Sequence, residues 1–315
     1  MQIVKIDDLN AFFLRENGIP QGAYSGINNH EYHALHSYWS SSALKELIQK
    51  SPSHFKSKYI DSWPESLDTP AMRIGSAVHA LVLEPEMFNR EFGVLGFEID
   101  RRTKEGKAAW ADFQSSNFGK TLLTFDESKT ALSMAHSVLN NSRIKPYIKE
   151  CLKEVSLFWE CPFTGLKFRA RPDGFCEDFK IELKTTKTAS PFGFTRQISS
   201  LNYSLQVAHY AKGLEQVLNL KMGREFFIIV ENEAPFVSEI YEVSENMLTL
   251  GHEQWLRAAT ELEAGVKNNH WPTYSRDDEI QMLQPPFWEM REWGLAPGKT
   301  MGAGFDIDAD LSMEG

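Results

Sequence analysis

Cysteine is scarce in this sequence, with three among 315 residues. Cys151, Cys161 and Cys176 form no C-x-x-C pair and show none of the spacings by which cysteines hold zinc or iron–sulfur clusters. An odd cysteine count without a secretory signal favours reduced thiols. The sequence therefore predicts neither a disulfide framework nor a cysteine-bound metal.

Long apolar runs are also absent. No stretch approaches the roughly 18 apolar residues that a membrane helix requires, and the start, MQIVKIDDLN, has early acidic residues instead of the apolar core of a signal peptide. We therefore expect a cytoplasmic protein without a membrane partner. With 42% hydrophobic and 24% charged residues, the composition is typical of a globular protein, and the length allows one large domain or two small ones.

Positive charge is in deficit, because 33 basic residues face 43 acidic ones and the net charge is −10. The distribution is uneven, however. Residues 143–224 contain 14 basic and 8 acidic residues, a net charge of +6, whereas the parts before and after them are acidic. A polyanion would be attracted to this basic segment and repelled by the C-terminal part. The alternative is a chance cluster of charges on solvated faces.

Hydrophobic periodicity predicts helices before residue 150 and a mixture of strands and helices after it. The second part reads as strands over 155–160, 166–170 and 179–183, a helix over 201–220, strands over 226–230 and 237–243, and a helix over 247–266. This order indicates an α/β fold with a mixed central sheet flanked by helices.

We expect one domain over residues 1–275, divided into a mainly helical part (1–150) and a sheet core (151–275). Residues 276–315 are predicted to form an irregular acidic tail, with disorder over about the last 20 residues. Within the tail, the segment Trp288–Trp293 is an apolar island. It either packs on the body or binds a partner.

The segment RARPDGFCEDFKIELK, residues 169–184, contains Asp173, Glu182 and Lys184. Glu182 follows Asp173 by nine residues, and Lys184 follows Glu182 by two. Alternation along a strand puts Glu182 and Lys184 on one face. Two carboxylates suit Mg²⁺ or Mn²⁺, which acidifies a bound water and neutralises charge on a phosphodiester. Lys184 would position that water or stabilise the developing negative charge. The alternative is an ordinary edge strand with solvated charges.

Residues around this segment strengthen the metal-dependent interpretation. Alternating arginines beside carboxylates are typical of phosphate binding, and polar residues four apart share one helix face. The additional candidates are Glu160 on the preceding strand, Arg169 and Arg171, Thr185 and Lys187 after the second carboxylate, and Gln206 with Tyr210 on the following helix.

Two helices further upstream offer more candidates. Ser41 or Ser42 is predicted to cap a helix, where free backbone N–H groups and hydroxyls form a phosphate cradle, although plain capping explains them equally well. His79 lies on an otherwise apolar helix predicted over 72–83. A lone histidine in such a place is usually a packed core residue.

Together these motifs resemble the PD-(D/E)xK nuclease superfamily and, within it, the RecE-type exonucleases, the group of exodeoxyribonuclease VIII and its phage relatives, which are related to lambda exonuclease. The likeness extends over most of the chain, from about residue 40 to residue 274. It consists of SSSALKELIQKSPSHF, GSAVHALVLEPEMF, DRRTKEGKAAW, Glu160 with TGLKFRARPDG, IELKTT, QVAHY and WPTY, in this order.

The resemblance implies a role for each matched residue. It changes the interpretation of His79 to a metal ligand or a direct neighbour of the metal site, whose other ligands would be Asp173, Glu182 and Glu160. Lys184 takes the place of the catalytic lysine, and Gln206 and Tyr210 match a motif on the helix that follows. One departure is Glu182, because close relatives often have Asp there. DNA contacts are expected from Ser42, Arg73, Arg169, Arg171, Thr185 and Lys187.

We therefore expect a Mg²⁺- or Mn²⁺-dependent deoxyribonuclease that degrades linear double-stranded DNA from its ends. The resemblance further implies 5′→3′ polarity, recombination with a single-strand annealing protein in a bacterial host cell, and a homo-oligomeric ring around DNA. Two alternatives stay open. One is an endonuclease or DNA-processing nuclease of the same fold, and the other is a non-catalytic DNA-binding protein that keeps the fold.

Overall fold

A computed structural model of the chain describes residues 2–6, 18–61, 69–275, 280–293 and 295. The chain divides into one compact unit over residues 1–273 and a second over 274–315. Among the described residues, no helix combines the length and the apolar character that crossing a membrane requires.

The first half of the larger unit is mostly helical. Its elements are β1 (Ile3–Lys5), β2 (Gly22–Ser25), α1 (Asn29–Ala34), α2 (Ser41–Gln49), α3 (Pro52–Lys56), a π-helical turn (Ser57–Asp61), α4 (Pro70–Leu83), α5 (Pro85–Glu91), β3 (Phe92–Val94), α6 (Lys104–Ser116), β4 (Thr121–Leu123), α7 (Phe125–Asn140) and α8 (Lys145–Glu150). Local sequence sets several of these starts. At α7, for example, Thr124 and Glu127 form a reciprocal capping box.

The second half supplies most of the strands. Its elements are β5 (Leu152–Lys153), β6 (Ser156–Glu160), β7 (Lys167–Ala170), β8 (Gly174–Phe175), β9 (Phe179–Thr186), α9 (Pro191–Ser200), α10 (Tyr203–Leu218), β10 (Arg224–Glu231), β11 (Ser238–Glu242) and α11 (Glu245–Asn268). The smaller unit contains α12 (Phe287–Glu292), which carries the exposed Trp288 of the predicted apolar island.

Strand β9 is the central element of a five-stranded sheet with the order β11-β10-β9-β8-β5. It pairs in parallel with β10 and antiparallel with β8. A second sheet has the order β1-β2-β6-β7, and β3 pairs with β4 in a third. The predicted α/β fold with a mixed central sheet flanked by helices is therefore confirmed. Strands β1 and β2 were not predicted, because glycine and proline around β2 read as turns and the three residues of β1 are too few for a periodic pattern.

Of the four hydrophobic cores among the described residues, the two largest hold the layers together. One lies between helices α2, α10 and α11 and the hairpin β6–β7, and includes Leu44, Trp159 and Leu205. The other lies between helices α4 and α7 and strands β9 and β10, and includes Val78 and Ile181. Alternation along β9 therefore buries Ile181 in the second core and turns its charged residues to the opposite face.

Helices α10 and α11 approach each other closely. A Cβ atom at Gly251 of α11 would lie 2.1 Å from the carbonyl oxygen of Ser204 on α10, so glycine is required at this crossing. The close approach fixes α10, which carries Gln206 and Tyr210. In the C-terminal region, α12 is helical where an irregular tail was predicted. The predicted disorder near the C-terminus falls outside the described residues.

Candidate active site

Asp173 lies in the short connection between β7 and β8, and its side chain is buried. Its Oδ2 accepts a hydrogen bond of 2.6 Å from the backbone N–H of Leu183 on β9. Its backbone oxygen accepts one of 3.4 Å from the N–H of Glu154. The carboxylate is therefore fixed between the hairpin and the central strand.

The hairpin register decides which acidic residue accompanies Asp173. Strands β6 and β7 pair antiparallel, with Leu157 opposite Ala170 and Glu160 opposite Lys167. Continuing this register three residues beyond the Leu157–Ala170 pair puts Glu154 opposite Asp173. Glu160 instead lies exposed at the turn end of the hairpin, so the structure does not bring it to the site. Glu154, which sequence reasoning missed, lies beside Asp173 instead.

His79 on α4 completes a cluster with these two carboxylates. Its Nδ1 lies 3.6 Å from Oδ1 of Asp173, and one ligand atom each from His79, Glu154 and Asp173 lie within 4.8 Å of one another. Burial lowers the pKa of His79, although the charge of Asp173 opposes this shift. A neutral imidazole is the form that binds metals. This geometry agrees with the expectation that His79 lies beside Asp173.

The chemistry of the cluster fits a divalent cation. Burial, and next the charge of Asp173, raise the pKa of Glu154 well above its usual value. The same two causes raise the pKa of Glu182 to about 7. A bound cation would relieve this repulsion, and oxygen-rich donor sets suit Mg²⁺ or Mn²⁺. His79, Glu154 and Asp173 would hold the metal, with Glu182 beside them.

Glu182 and Lys184 share one face of β9, as the alternation predicts. The Nζ of Lys184 donates to Oε2 of Glu182 at 3.1 Å and lies 3.8 Å from Oδ2 of Asp173. Burial lowers the pKa of Lys184, but the two carboxylates outweigh it and the pKa is raised overall. With this raised pKa, Lys184 is a charged hydrogen-bond donor in the metal-free protein.

Helix α10 presents Gln206 and Tyr210 toward this face. Gln206 Nε2 donates to the hydroxyl oxygen of Tyr210 at 3.0 Å, and Gln206 Oε1 accepts from Lys45 Nζ at 2.8 Å. Lys45 comes from α2 and was not predicted as a site residue. The segment SSSALKELIQ could have indicated it, because Lys45 is a charged residue next to the buried Leu44.

Arg169 on β7 and Arg171 just after it, both predicted to bind DNA, are buried. Arg169 donates to the backbone oxygens of Tyr32 and Leu35, the latter at 2.8 Å. Arg171 donates to Ser156 Oγ at 2.9 Å and to the backbone oxygen of Ile27 at 3.0 Å. Both guanidinium groups therefore attach the N-terminal segment to the hairpin, which corrects the interpretation of their alternation as a DNA-binding pattern.

The other predicted DNA contacts lie at several places on the surface. Ser42 is exposed in the first turn of α2, whose N-cap is Ser40 and not Ser41 or Ser42. Arg73 pairs with Glu127, with 2.5 Å between Nη2 and Oε1. Thr185 is half-buried at the end of β9, and Lys187 is exposed just beyond it. DNA binding by these residues stays a prediction.

A cleft of about 670 Å³ opens over the cluster. Its walls include His79, Glu154, Asp173, Arg171 and Tyr210. Carboxylates with raised pKa values that converge in a cleft are typical of functional sites.

One solved structure agrees with this fold. The crystal structure of a "Putative exonuclease" from Eubacterium rectale is similar with a TM-score of 0.55 and 16% sequence identity, over 85% of this chain and 98% of that one. The crystal structure of LHK-Exo in complex with dAMP matches with a TM-score of 0.24 and 15% identity, over 63% of this chain and 93% of that one. No curated protein matches the chain.

A family model covers most of the chain. Residues 40–283 match the model described as "PDDEXK-like domain of unknown function (DUF3799)". The match confirms the predicted superfamily and agrees with a restriction-endonuclease-like fold. Together with the acidic cluster, it supports a nuclease with a divalent-metal site. The chain thus belongs to the PDDEXK-like family DUF3799.

Proposed function

We propose that the protein is a metal-dependent exonuclease that hydrolyses phosphodiester bonds from the ends of linear double-stranded DNA. The observation that carries this proposal is the convergence of His79, Glu154 and Asp173 on the wall of an open cleft, with Glu182 and Lys184 beside them. Phosphodiester hydrolysis requires a cation near the phosphate and a donor for the developing charge, and this arrangement offers both.

Each group of the site has a defined task. A Mg²⁺ or Mn²⁺ ion held by His79, Glu154 and Asp173 would supply an acidified water and neutralise phosphate charge. Lys184 donates a hydrogen bond to a phosphate oxygen or to the attacking water. Glu182 orients Lys184 through their 3.1 Å contact. Tyr210 lines the cleft and, with Gln206 hydrogen-bonded to it, is the part of α10 that contacts the substrate.

The preference for DNA ends comes from the RecE-type resemblance, and the exonuclease name of the structure from Eubacterium rectale agrees with it. On the same basis we infer 5′→3′ polarity, recombination together with a single-strand annealing protein in the bacterial cytoplasm, and a homo-oligomeric ring. A ring with a basic interior would let an acidic protein hold DNA. Because Arg169 and Arg171 are buried, that interior would depend on exposed residues such as Lys167, Lys187 and Arg196.

Nucleotide release from linear duplex DNA tests the proposal. The wild type is expected to release nucleotides with Mg²⁺ or Mn²⁺ and to be inactive with excess chelator. Removing one donor to the developing charge costs about 10²- to 10³-fold in kcat, so Lys184→Ala should lose at least that much. Lys221→Ala, at an exposed lysine, serves as the matched control.

The substrate form distinguishes the alternatives. Duplexes labelled at the 5′ or the 3′ end report the polarity, and covalently closed circular DNA reports endonuclease activity. Cleavage of the closed circle at the rate of the linear duplex would replace the exonuclease proposal with an endonuclease. Absence of both hydrolysis and metal binding in the wild type would contradict any nuclease function.

A further inference from the structure

Lys45 is a second lysine at the edge of the proposed site. Its Nζ lies 4.9 Å from the ring centroid of Tyr203, and the Nζ of Lys184 lies 5.6 Å from the same centroid. Two ammonium groups from different elements, α2 and β9, therefore share one aromatic ring on α10. The ring face attracts both cations, but it supplies no net negative charge.

Lys45 has no carboxylate within ion-pair distance in the part of the chain that the structure describes. Its hydrogen-bond partner is the neutral Gln206, at 2.8 Å. Glu182, the acidic side chain of the site whose charge acts on Lys45, is engaged by Lys184 at 3.1 Å. Burial, and next the charge of Lys184, lower the pKa of Lys45 to about 7. A positive group in this setting gains most from an added anion.

The position of Lys45 is fixed by the packing of α2. The neighbouring Leu44 and Leu47 are buried in the core that also contains Leu205 of α10. Gln206, which holds the ammonium, is held in turn by the hydroxyl group of Tyr210 at 3.0 Å. The amine is therefore placed by two helices before any substrate binds.

We propose that Lys45 is a substrate-binding residue whose ammonium group binds a phosphate oxygen of the DNA at the nuclease site. This inference deepens the proposed function and rests on it. Lys184 and Lys45 then have different roles. Lys184 is held by the carboxylates and donates at the reacting phosphate, whereas Lys45, which has no carboxylate partner, contributes its charge to binding.

Steady-state kinetics on linear duplex DNA and equilibrium binding with Ca²⁺ in place of Mg²⁺ test this inference. A charged hydrogen bond is worth about 1.5–3 kcal/mol, so Lys45→Met should raise KM and the Kd for DNA by about tenfold or more, with a smaller change in kcat. The slope of log Kd against log salt should fall by about one. Lys45→Arg should restore most of the affinity.

The control is Lys50→Met, at an exposed lysine at the end of the same helix that pairs with Glu46. It should leave KM and the salt slope unchanged. Lys45→Gln, which keeps a polar group beside Gln206, separates loss of charge from loss of packing, and the melting temperature of each variant reports folding. If the wild type degrades DNA and both uncharged Lys45 variants keep its KM and salt slope, the role of Lys45 is wrong while the nuclease proposal stands. A wild type that neither degrades nor binds DNA overturns both.

Discussion

The ammonium group of Lys180 lies 2.8 Å from Oε2 of Glu225, and both side chains are buried beneath the proposed active site. The two groups are close enough to form an ion pair, but their orientation does not allow a hydrogen bond between them. Lys180 also lies 3.8 Å from Oε1 of Glu182. Glu182 is thus placed between two lysines of its own strand, with Lys184 on the side of Asp173.

Removal of Lys180 should destabilise the fold. Lys180→Met leaves Glu225 buried and unpaired, which typically costs about 3–5 kcal/mol of the free energy of unfolding. Lys180→Met/Glu225→Leu should regain part of the loss, because no unpaired charge remains. Denaturant unfolding measures both variants. The control is Arg224→Met, which removes an exposed pair with Glu242 worth about 0–1 kcal/mol. An equal loss in Lys180→Met and Arg224→Met would contradict the importance of the buried pair.

The two hairpin glutamates should differ in their effect on metal use. Glu154→Gln is expected to raise the half-saturating Mg²⁺ or Mn²⁺ concentration by more than about 10–100-fold, since even a residue that only supports a ligand has effects of that size. Glu160→Gln changes an exposed residue and should behave like the wild type. Metal titrations of the rate and calorimetric metal binding measure the difference. The reverse order of effects would restore Glu160 to the site and remove Glu154.

The metal-free protein should lose stability as the pH rises from about 4.5 to about 7. Burial and Asp173 raise the pKa of Glu182 from 4.5 to about 7 in the folded state. Between these values the unfolded chain releases the proton and the folded chain keeps it, so the free energy of unfolding falls with increasing pH. Urea unfolding in a chelator should show a steeper fall for the wild type than for Glu182→Gln. Identical pH slopes would mean that Glu182 titrates normally.

Arg169 should matter for folding more than for DNA binding. Arg169→Met removes a charged donor to the backbone oxygens of Tyr32 and Leu35, which keep only the bonds from the N–H groups of Leu35 and Tyr38. A hydrogen bond to a charged group is worth about 1.5–3 kcal/mol, so the free energy of unfolding should fall by about that much. The salt dependence of DNA binding by the folded variant should equal that of the wild type. Arg196→Met, at an exposed arginine, is the control for stability. A flatter salt dependence in Arg169→Met with unchanged stability would return Arg169 to the DNA surface.

The sequence was sufficient for features that depend on local periodicity. Alternation along β9 places Glu182 and Lys184 on one face, and helical spacing places Gln206 and Tyr210 together. His79 could not be assigned from its helix, because a histidine on an apolar helix is usually a core residue. It required the resemblance to a known family.

Features that depend on long-range contacts were missed or misread. Arg169 and Arg171 alternate as phosphate-binding residues would. The partners of Arg169, however, are the backbone oxygens of Tyr32 and Leu35, which lie more than 130 residues away in sequence. Lys180 lies in a charged sequence that suggests solvent, and its partner Glu225 comes from the parallel neighbour β10. No local pattern contains such pairings.

The length of the turn between β6 and β7 determines the ligand set of the proposed metal site. The pairing that follows from the turn at Cys161–Leu166 puts Glu154 opposite Asp173. Insertion or deletion of one turn residue that shifted the register by one would put Lys153 or Val155 there, and neither side chain is a metal ligand of this kind. A change in an exposed loop at the far end of the hairpin would then remove metal binding without altering any residue of the site.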